Sequence, residues 1–577
     1  MEKRTLQRLH AHLTIASLIL SLLGPVSIVA NDTTGAPTPT IELTPILSIE
    51  RNWDNLSLLY PDQYHDADEV EDEIANIAQA VPELVDLEVI GQSYLGRDIS
   101  CLRITNEQSL TQQAKTLVVA HHHAREQITI EAALRLILYL LNGYGEDEQI
   151  TAYIDTEEIF VIPTLNPDSL EYVVNQGNHW LRKNLRPYDN DGDGEEDEDP
   201  LQDVDGDGWI SSFETYAKNG DDLTYISSTY EGVDDDGDGL VNEDGVGLTD
   251  LNRNYPTYWS PSSANSNDPA SQVYRGSSPF SEPETQALRD LVLEHEFAMA
   301  YSLHSGINAT YFSTNSVGNW VEPVLYSRMI DDLESILPES FNEGLGYPSR
   351  EKLAAHGDLA THGGMWKDWM YQERGTVAPI CFEIYHNGSV DDWSFYEVIE
   401  ENSTHVLMKW DGIFGYFAPF ESHIDALWNE IRPAFDYLLA TTPRLQLSTP
   451  SVSGGTSEGS TVTISCQIEC LSDRLTTQGD INFLTTDGGI LAHSGYLSPG
   501  QSLSRSAQIT LPQSITTSNL TILLGNDYTG YHALVLSSSN GSPTDPPPEA
   551  FPWPMVIALL AIAAVTVVLI VIWRARR

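Results

Sequence analysis

Thr116-Leu-Val-Val-Ala120-His121-His122-His123-Ala124-Arg125-Glu126 sets an apolar run directly before three histidines, an arginine and a glutamate. Such a β-branched run reads as a buried strand, and its carboxyl end is where open α/β sheets hold their sites. His123 and Glu126 stand three residues apart, so a tight turn can aim both at one ion. A second apolar run, 297–303, ends in His304 and offers a third ligand. Two imidazoles and one carboxylate leave a fourth tetrahedral position for water, the arrangement of a catalytic zinc and not of a structural one. Taken by itself, an H-x-x-E turn equally describes a solvated polar loop.

The flanking sequence supplies the alternation that such a strand needs. Residues 70–81 have helical period, 85–104 read as short strands, 130–141 as an apolar-faced helix, 159–163 as another buried strand and 424–439 as an amphipathic helix. Strands alternating with helices predict an α/β fold with its sheet covered on both faces. After Thr442 the composition shifts to Ser, Thr, Gly and Val in short alternating runs, which predicts a β-sandwich over 445–536. Residues 31–57, rich in Thr, Pro and Ile without periodicity, and the Ser/Pro-rich 537–552 are expected to be linkers.

The two ends read as targeting segments. Residues 1–30 carry Lys3, Arg4 and Arg8, then an apolar run at 13–23 and a small-residue exit at Ala30, the order of a secretory signal peptide. Residues 555–573 hold no charge and have the length of a transmembrane helix; Arg574, Arg576 and Arg577 follow, so the positive-inside rule puts the folded part outside the cell. The expectation is a single-pass membrane protein at the cell surface. A net charge of −55, from 29 basic and 84 acidic residues, argues against a nucleic-acid partner and suits a surface kept soluble in high salt. Four cysteines are too few for a disulfide scaffold; Cys466 and Cys470 are candidates for a local bridge, while Cys101 and Cys381 read as buried thiols. Seven N-x-S/T sequons, Asn308 and Asn402 among them, permit glycosylation.

Between Asp189 and Asp244 the chain packs 21 carboxylates. Asp203-Val-Asp205-Gly-Asp207-Gly208, continuing to Ser211 and Glu214, matches an EF-hand calcium loop at its acidic positions, its sixth-position glycine and its twelfth-position glutamate. Asp189-Asn-Asp191-Gly-Asp193-Gly194 and Asp234-Asp-Asp236-Gly-Asp238-Gly239 repeat the first half only, with Pro200 and Gly245 at the twelfth position, and read as partial sites. Clustered carboxylates repel unless a cation neutralises them, so Ca²⁺ is expected to order 187–246; the alternative is a disordered acidic loop.

Further motifs tie these pieces together: Asn166-Pro-Asp168, Asp250-Leu-Asn-Arg-Asn-Tyr255, Pro279-Phe-Ser-Glu-Pro-Glu-Thr285, Leu303-His-Ser305 and Phe382-Glu383. With His123-Ala-Arg-Glu126 they resemble, in order, the zinc carboxypeptidase family of the carboxypeptidase A and T type. The resemblance spans 58–441 and implies that family's fold, a mixed twisted sheet flanked by helices. It implies that His123, Glu126 and His304 bind zinc and that Glu383 acts as general base and then general acid. It implies an oxyanion-stabilising arginine in Trp180-Leu-Arg-Lys-Asn-Leu-Arg186, a role for which Arg182 and Arg186 compete, with Arg125 assisting. Asn252 and Arg253 would clamp the terminal carboxylate of a peptide, for which a bidentate guanidinium is the natural partner.

The chain departs from the family at one point. Members carry a mobile tyrosine some eight residues before a segment like Asp368-Trp-Met-Tyr371, yet there is no tyrosine between Pro348 and Met370; His356 is one candidate to cover the site. The residue before that Asp-Trp pair often faces the substrate's terminal side chain, and Lys367 there implies a preference for Asp or Glu unless it pairs with Asp358 or Asp368. The reading favoured is thus a membrane-anchored metallocarboxypeptidase acting on peptide C-termini with one Zn²⁺ and structural Ca²⁺. An amidase acting on cell-wall peptides and a non-catalytic, calcium-ordered adhesion protein are the alternatives.

Overall fold

In the computed structural model of this chain the described residues are 38–539, without 314–328, 338–362, 388–395, 471–476 and several shorter stretches. The expected signal peptide and membrane segment lie outside them, and among the described residues no helix is long and apolar enough to cross a membrane.

Seven strands make the main sheet: β1 (Val85–Gln92), β2 (Asp98–Ile104), β3 (Ala114–Val119), β4 (Glu157–Ile162), β5 (Met299–His304), β6 (Thr310–Phe312) and β7 (Ala378–Glu383). Their spatial order is β1-β2-β4-β3-β5-β7-β6. β4, β3, β5 and β7 run parallel, while the β1–β2, β2–β4 and β7–β6 pairings are antiparallel, so the sheet is mixed. Parallel strands are covered on both faces and need apolar residues in both alternating sets. Leu117 and Val119 pack with Tyr255, Leu288 and Trp366 on one face. Val118 and Ala120 pack with Ile130, Ile137 and Leu438 on the other. His304 and Glu383 accordingly stand at the ends of β5 and β7.

Helix α1 (Ala67–Ala80) begins with a reciprocal cap between Asp66 and Glu69 and buries Val70, Ile74 and Ile77. Helix α2 (Ile128–Gly143) starts at the His123–Glu126 turn, and α3 (Pro283–Glu294) and α4 (Ile424–Ala440) cover opposite faces of the sheet. A buried polar network joins α1, α2 and α4. The His65 ring lies 2.8 Å from Glu131 and 3.2 Å from Glu73, and Arg135 reaches Glu131 and Asp425 at 2.9 Å each. Burial would lower the pKa of His65, but its bonds to Glu131 and Glu73 outweigh that and raise it to about 9.

The acidic insertion is not loop alone. Ser212–Asn219 and Asp222–Tyr230 form a hairpin, and Ser212–Asn219 pairs with His405–Trp410, which pairs in turn with Tyr396–Glu401, in a four-stranded antiparallel sheet. Toward the C-terminus a five-stranded sheet runs in the order Thr38–Leu43, Gly530–Ser539, Leu520–Asn526, Ile481–Leu484, Ile490–His493. A three-stranded sheet holds Leu445–Gly454, Thr461–Cys470 and Ser502–Thr510. Val462, Ile464 and Ile468 of the second share one apolar cluster with Ile522, Leu534 and Leu536 of the first.

Two expectations change here. Thr38–Leu43, read as part of a linker, is a strand paired with Gly530–Ser539, which itself runs past the expected boundary at 536. A six-residue strand is too short to show a period, and its partner lies at the other end of the chain. Cys466 is a free buried thiol and not part of a bridge to Cys470, because four residues along an extended strand separate Cα atoms by about 13 Å, beyond disulfide reach. Cys101 and Cys381 are buried and free, as expected.

The His65 network gives a prediction with a definite sign. A histidine whose pKa is about 9 in the fold and 6.5 when unfolded contributes stability that is fully present below pH 6.5 and is lost as pH rises through 9. Denaturation midpoints should fall across that window. His65→Gln should be less stable at pH 6 and flatten the decline; a slope unchanged by the substitution would contradict the assignment.

Candidate metal centre

Three segments meet at the ends of β3, β5 and β7. After β3 the backbone turns at His121, which has φ 60 and is held by bonds from its ring to Thr164 Oγ1 (2.9 Å) and the Ala124 carbonyl (2.8 Å). A non-glycine residue in the left-handed region is strained, and the ring's two partners fix it there. The turn closes with Glu126 N–H donating to His123 O at 3.1 Å. His304 ends β5, and the parallel register sets Glu383, the last residue of β7, beside it.

Glu126 stands between the two imidazoles: Oε1 lies 2.7 Å from His123 Nδ1 and Oε2 lies 2.9 Å from His304 Nδ1. The ligand atoms of the three residues lie within 4.8 Å of one another, and all three side chains are buried. The far nitrogens are already oriented, His123 Nε2 against Asp250 Oδ1 at 3.1 Å and His304 Nε2 against Ser302 Oγ at 3.0 Å. Converging Nδ1 atoms, a carboxylate and outer partners on each remote nitrogen are the donor set and support that zinc requires. The residues present fit the ion. Burial alone would raise the pKa of Glu126, but the His123 and His304 charges hold it well below the usual carboxylate range.

Glu383 is buried, and its Oε2 has no hydrogen-bond partner. Burial, reinforced by the charge of Glu126, pushes its pKa up to about 8. A cation held by Glu126 would work in the opposite direction. A carboxyl poised near neutrality beside a metal site is suited to taking and returning a proton.

The arginines separate cleanly. Arg182 Nε donates to Asp250 Oδ2 at 2.8 Å and its Nη1 lies 3.9 Å from Glu126, so it flanks the centre. Arg186 turns away to Glu282 at 3.5 Å and lies over the Tyr94 ring, so it does not belong to the centre. The cause is backbone pairing: Ala124 N–H and Arg125 N–H donate to the carbonyls of Arg182 and Leu181, which presses 181–182 against the His123 turn. Arg125 lies over Phe417 at 4.2 Å and donates to Trp180 O, and burial followed by repulsion from Arg182 lowers its pKa to about 10. Asn252 joins the centre through Nδ2, 3.0 Å from His304 Nε2, while Arg253 is held by Ala264 O and Asn252 O at 2.7 and 2.9 Å. Lys367 is buried with its Nζ 2.9 Å from Asp368.

Reading the sequence alone missed three groups. Asp250 is the hub, fully buried, meeting His123, Arg182 and Asn252 N–H at once; it opened a quoted motif but had no assigned role. Arg182 and Arg253 outweigh the effect of burial and keep its pKa well below the usual range. Ser302 orients His304 from one alternation back along β5. Tyr311 on β6 pairs in register with Cys381, which places it on the Glu383 face, and its pKa, raised to about 12, responds to burial first and then to Glu383. His356 lies outside the described residues.

The expected calcium set needs correction. Asp203 accepts from Gly206 N–H and Gly208 N–H at 2.7 Å each, as the spacing implies. Glu214, however, lies in the extended strand Ser212–Asn219 and accepts from Tyr216 OH; an EF-hand turns its twelfth residue back by entering a helix, and here the loop feeds a strand. Glu231 takes its place near Asp203 and Asp205 but spends its oxygens on the N–H groups of Val204, Asp205 and Ser211. Lys409 Nζ meets Asp205 and Asp207 at 2.9 and 2.7 Å, so a built-in ammonium already supplies positive charge there.

Comparison with known proteins finds similarity to carboxypeptidases. The zinc carboxypeptidase of Saccharothrix mutabilis subsp. capreolus is 35% identical over 127 residues, 22% of this chain and 29% of that protein. Carboxypeptidase A2 of Mus musculus is 25% identical over 359 residues, 62% of this chain and 65% of its own. The inactive metallocarboxypeptidase ECM14 of Saccharomyces cerevisiae is 32% identical over 128 residues, 22% of this chain and 30% of its own. The alignments thus span less than two thirds of each relative's length. Among solved structures, thrombin activatable fibrinolysis inhibitor aligns with TM-score 0.44 at 19% identity, over 67% of this chain and 75% of that one. The family model described as zinc carboxypeptidase matches residues 70–434, well over half of the chain. On that match, the chain belongs to the zinc carboxypeptidase family.

Proposed function

We propose that the protein is an active metallocarboxypeptidase that hydrolyses the last peptide bond of peptides and proteins. The observation that carries this reading is the Glu126 carboxylate spanning His123 Nδ1 and His304 Nδ1, with the buried Glu383, whose Oε2 has no hydrogen-bond partner, on the neighbouring strand end. His123, Glu126 and His304 would hold a zinc ion, which would supply Lewis-acid chemistry toward the scissile carbonyl and a water. Glu383 takes a proton from the attacking water and returns it to the leaving amine. Arg182, fixed by Asp250, directs its guanidinium at the charge developing on the carbonyl oxygen. Arg253, with Asn252, binds the free α-carboxylate, which restricts cleavage to the chain end.

We read the apolar run at 13–23 and the uncharged 555–573 as signal peptide and membrane anchor of a cell-surface protein, and the C-terminal sheets as a β-sandwich between enzyme and membrane. Support for the sandwich is the single apolar cluster shared by the two sheets. A preference for acidic C-terminal residues would require an incoming carboxylate to draw Lys367 away from Asp368, because the ammonium is already paired.

Three measurements test this reading. The purified protein should hold one zinc per chain and release single residues from peptide C-termini, seen by mass spectrometry; Glu383→Gln should keep the zinc and lose about 10²–10⁴-fold in kcat. Zinc-loaded wild-type protein that releases nothing from any peptide would overturn the enzyme reading. Arg182→Ala should lower kcat by about 10²–10³-fold, as loss of an oxyanion donor does, while Arg186→Ala should stay within a few-fold. Peptides ending in Glu, Phe, Lys and Ala decide the pocket: equal rates for Glu and Phe mean that Lys367 stays with Asp368, and a Glu advantage abolished by Lys367→Met means that it does not.

A further inference from the structure

Of the three successive histidines, His121 holds the turn after β3 and His123 belongs to the metal centre; His122 does neither. It is fully buried, as are Ser302 and Tyr255. Its Nδ1 lies 3.0 Å from Ser302 Oγ and its Nε2 lies 3.1 Å from Tyr255 OH. The same Ser302 Oγ lies 3.0 Å from His304 Nε2, so Tyr255, His122 and Ser302 form one unbroken chain that ends on a candidate ligand. The His122 and His304 rings stack with centroids 5.4 Å apart, and Ser302 bridges them.

Hydrogen-bond chemistry fixes the direction of that chain. His304 can give Nδ1 to a metal only if its proton sits on Nε2, and that proton then needs an acceptor. Two groups lie 3.0 Å from Nε2, Asn252 Nδ2 and Ser302 Oγ. Asn252 Oδ1 already accepts from Trp366 N–H at 3.1 Å, so the amide turns its NH₂ group to His304 and cannot accept. Ser302 Oγ is therefore the acceptor. A hydroxyl accepts more strongly when its own proton is donated onward, and His122 Nδ1 stands in place to take it. His122 then carries its proton on Nε2, where Tyr255 OH accepts. Tyr255 is itself fixed by stacking on Trp369 and by the edge-on ring of Phe280. Reversal of the Ser302 bond would put the proton on His304 Nδ1 and close that nitrogen to a metal.

We propose that His122 is a positioning residue for the metal centre: acting through Ser302, it holds His304 in the tautomer and orientation that present Nδ1 to the ion. Tyr255 keeps His122 in the matching tautomer. Each imidazole of the centre thus has a buried outer partner, a carboxylate for His123 in Asp250 and a neutral hydroxyl–imidazole pair for His304. The proposal rests on His304 being a zinc ligand, and its readout is zinc affinity, so it stands or fails separately from peptidase activity.

Zinc affinity of the full-length chain, measured by competition with a chelator, tests this. Ser302→Ala and His122→Phe should each weaken zinc binding by about 10–100-fold. The double variant should lose no more than the worse of the two, because both cut the same chain; losses that multiply would overturn the relay. His122→Asn separates positioning from packing, since asparagine keeps an acceptor near Nδ1 but leaves space, whereas phenylalanine fills the space without an acceptor. His122→Asn should bind zinc more tightly than His122→Phe, and the opposite ranking would reduce His122 to a core residue. Tyr255→Phe removes one oxygen while keeping the ring on Trp369, and so serves even where the His122 variants fail to fold. It should weaken zinc several-fold; an unchanged affinity would contradict the proposal.

Discussion

A carboxylate buried between two imidazoles constrains everything around it. Glu126 is cut off from water, and an isolated ionised carboxylate there would cost several kcal/mol. His123 and His304 offset that cost with bonds at 2.7 and 2.9 Å, but only if the turn after β3 and the end of β5 arrive at one point. Parallel pairing of β3 with β5 provides the meeting point, because Val119 lies opposite Ser302 and both chains then leave the sheet at the same level. A register slip of one residue would turn His304 to the other face.

Charge is layered outward from that carboxylate. Negative Glu126 is ringed by His123, His304 and Arg182, and these are anchored in turn by Asp250, which also binds the Asn252 N–H. Asp250 thereby sets the orientation of an imidazole, a guanidinium and the segment carrying Arg253 from a single buried position. Glu383 is compensated less completely: burial and the like charge of Glu126 outweigh His304 and Arg182, and its Oε2 has no hydrogen-bond partner. A buried carboxyl with an unbonded oxygen at the edge of such a centre is one whose protonation state its surroundings leave open to change.

The sheet and its helices were legible because local pattern and tertiary role coincide: the runs at 116–120, 159–163 and 297–303 are uncharged since both faces of a parallel sheet are covered. The candidate ligands His123, Glu126 and His304 stood out because they close such runs, but the turn alone equally describes a polar loop, and the surrounding motifs were needed to single them out. Arg182 and Arg186 could not be told apart, since the choice depends on the backbone pairing of 124–125 with 181–182, which is nonlocal. Glu214 was misassigned because twelve-residue spacing does not reveal whether a helix or a strand follows. Thr38–Leu43 was missed for want of any local sign of its partner. Lys409, some two hundred positions from the loop it neutralises, left no trace in that loop's own sequence.

The insertion is large, yet its attachment points explain why the centre tolerates it. Asn184 N–H donates to Thr249 O at 3.0 Å, Leu248 N–H returns to Asn184 O at 3.2 Å, and Thr249 N–H donates to the Asn184 side chain at 3.0 Å. The chain thus leaves and re-enters at positions already held side by side, so extra length adds only slowly to the entropy of closing the loop. The same clasp lies two residues from Arg182 and one from Asp250, the pair that flanks Glu126. Loosening the stem would therefore release Arg182 and the aspartate that orients His123 together. A segment that contributes no ligand to the centre still holds the two side chains on which its geometry depends.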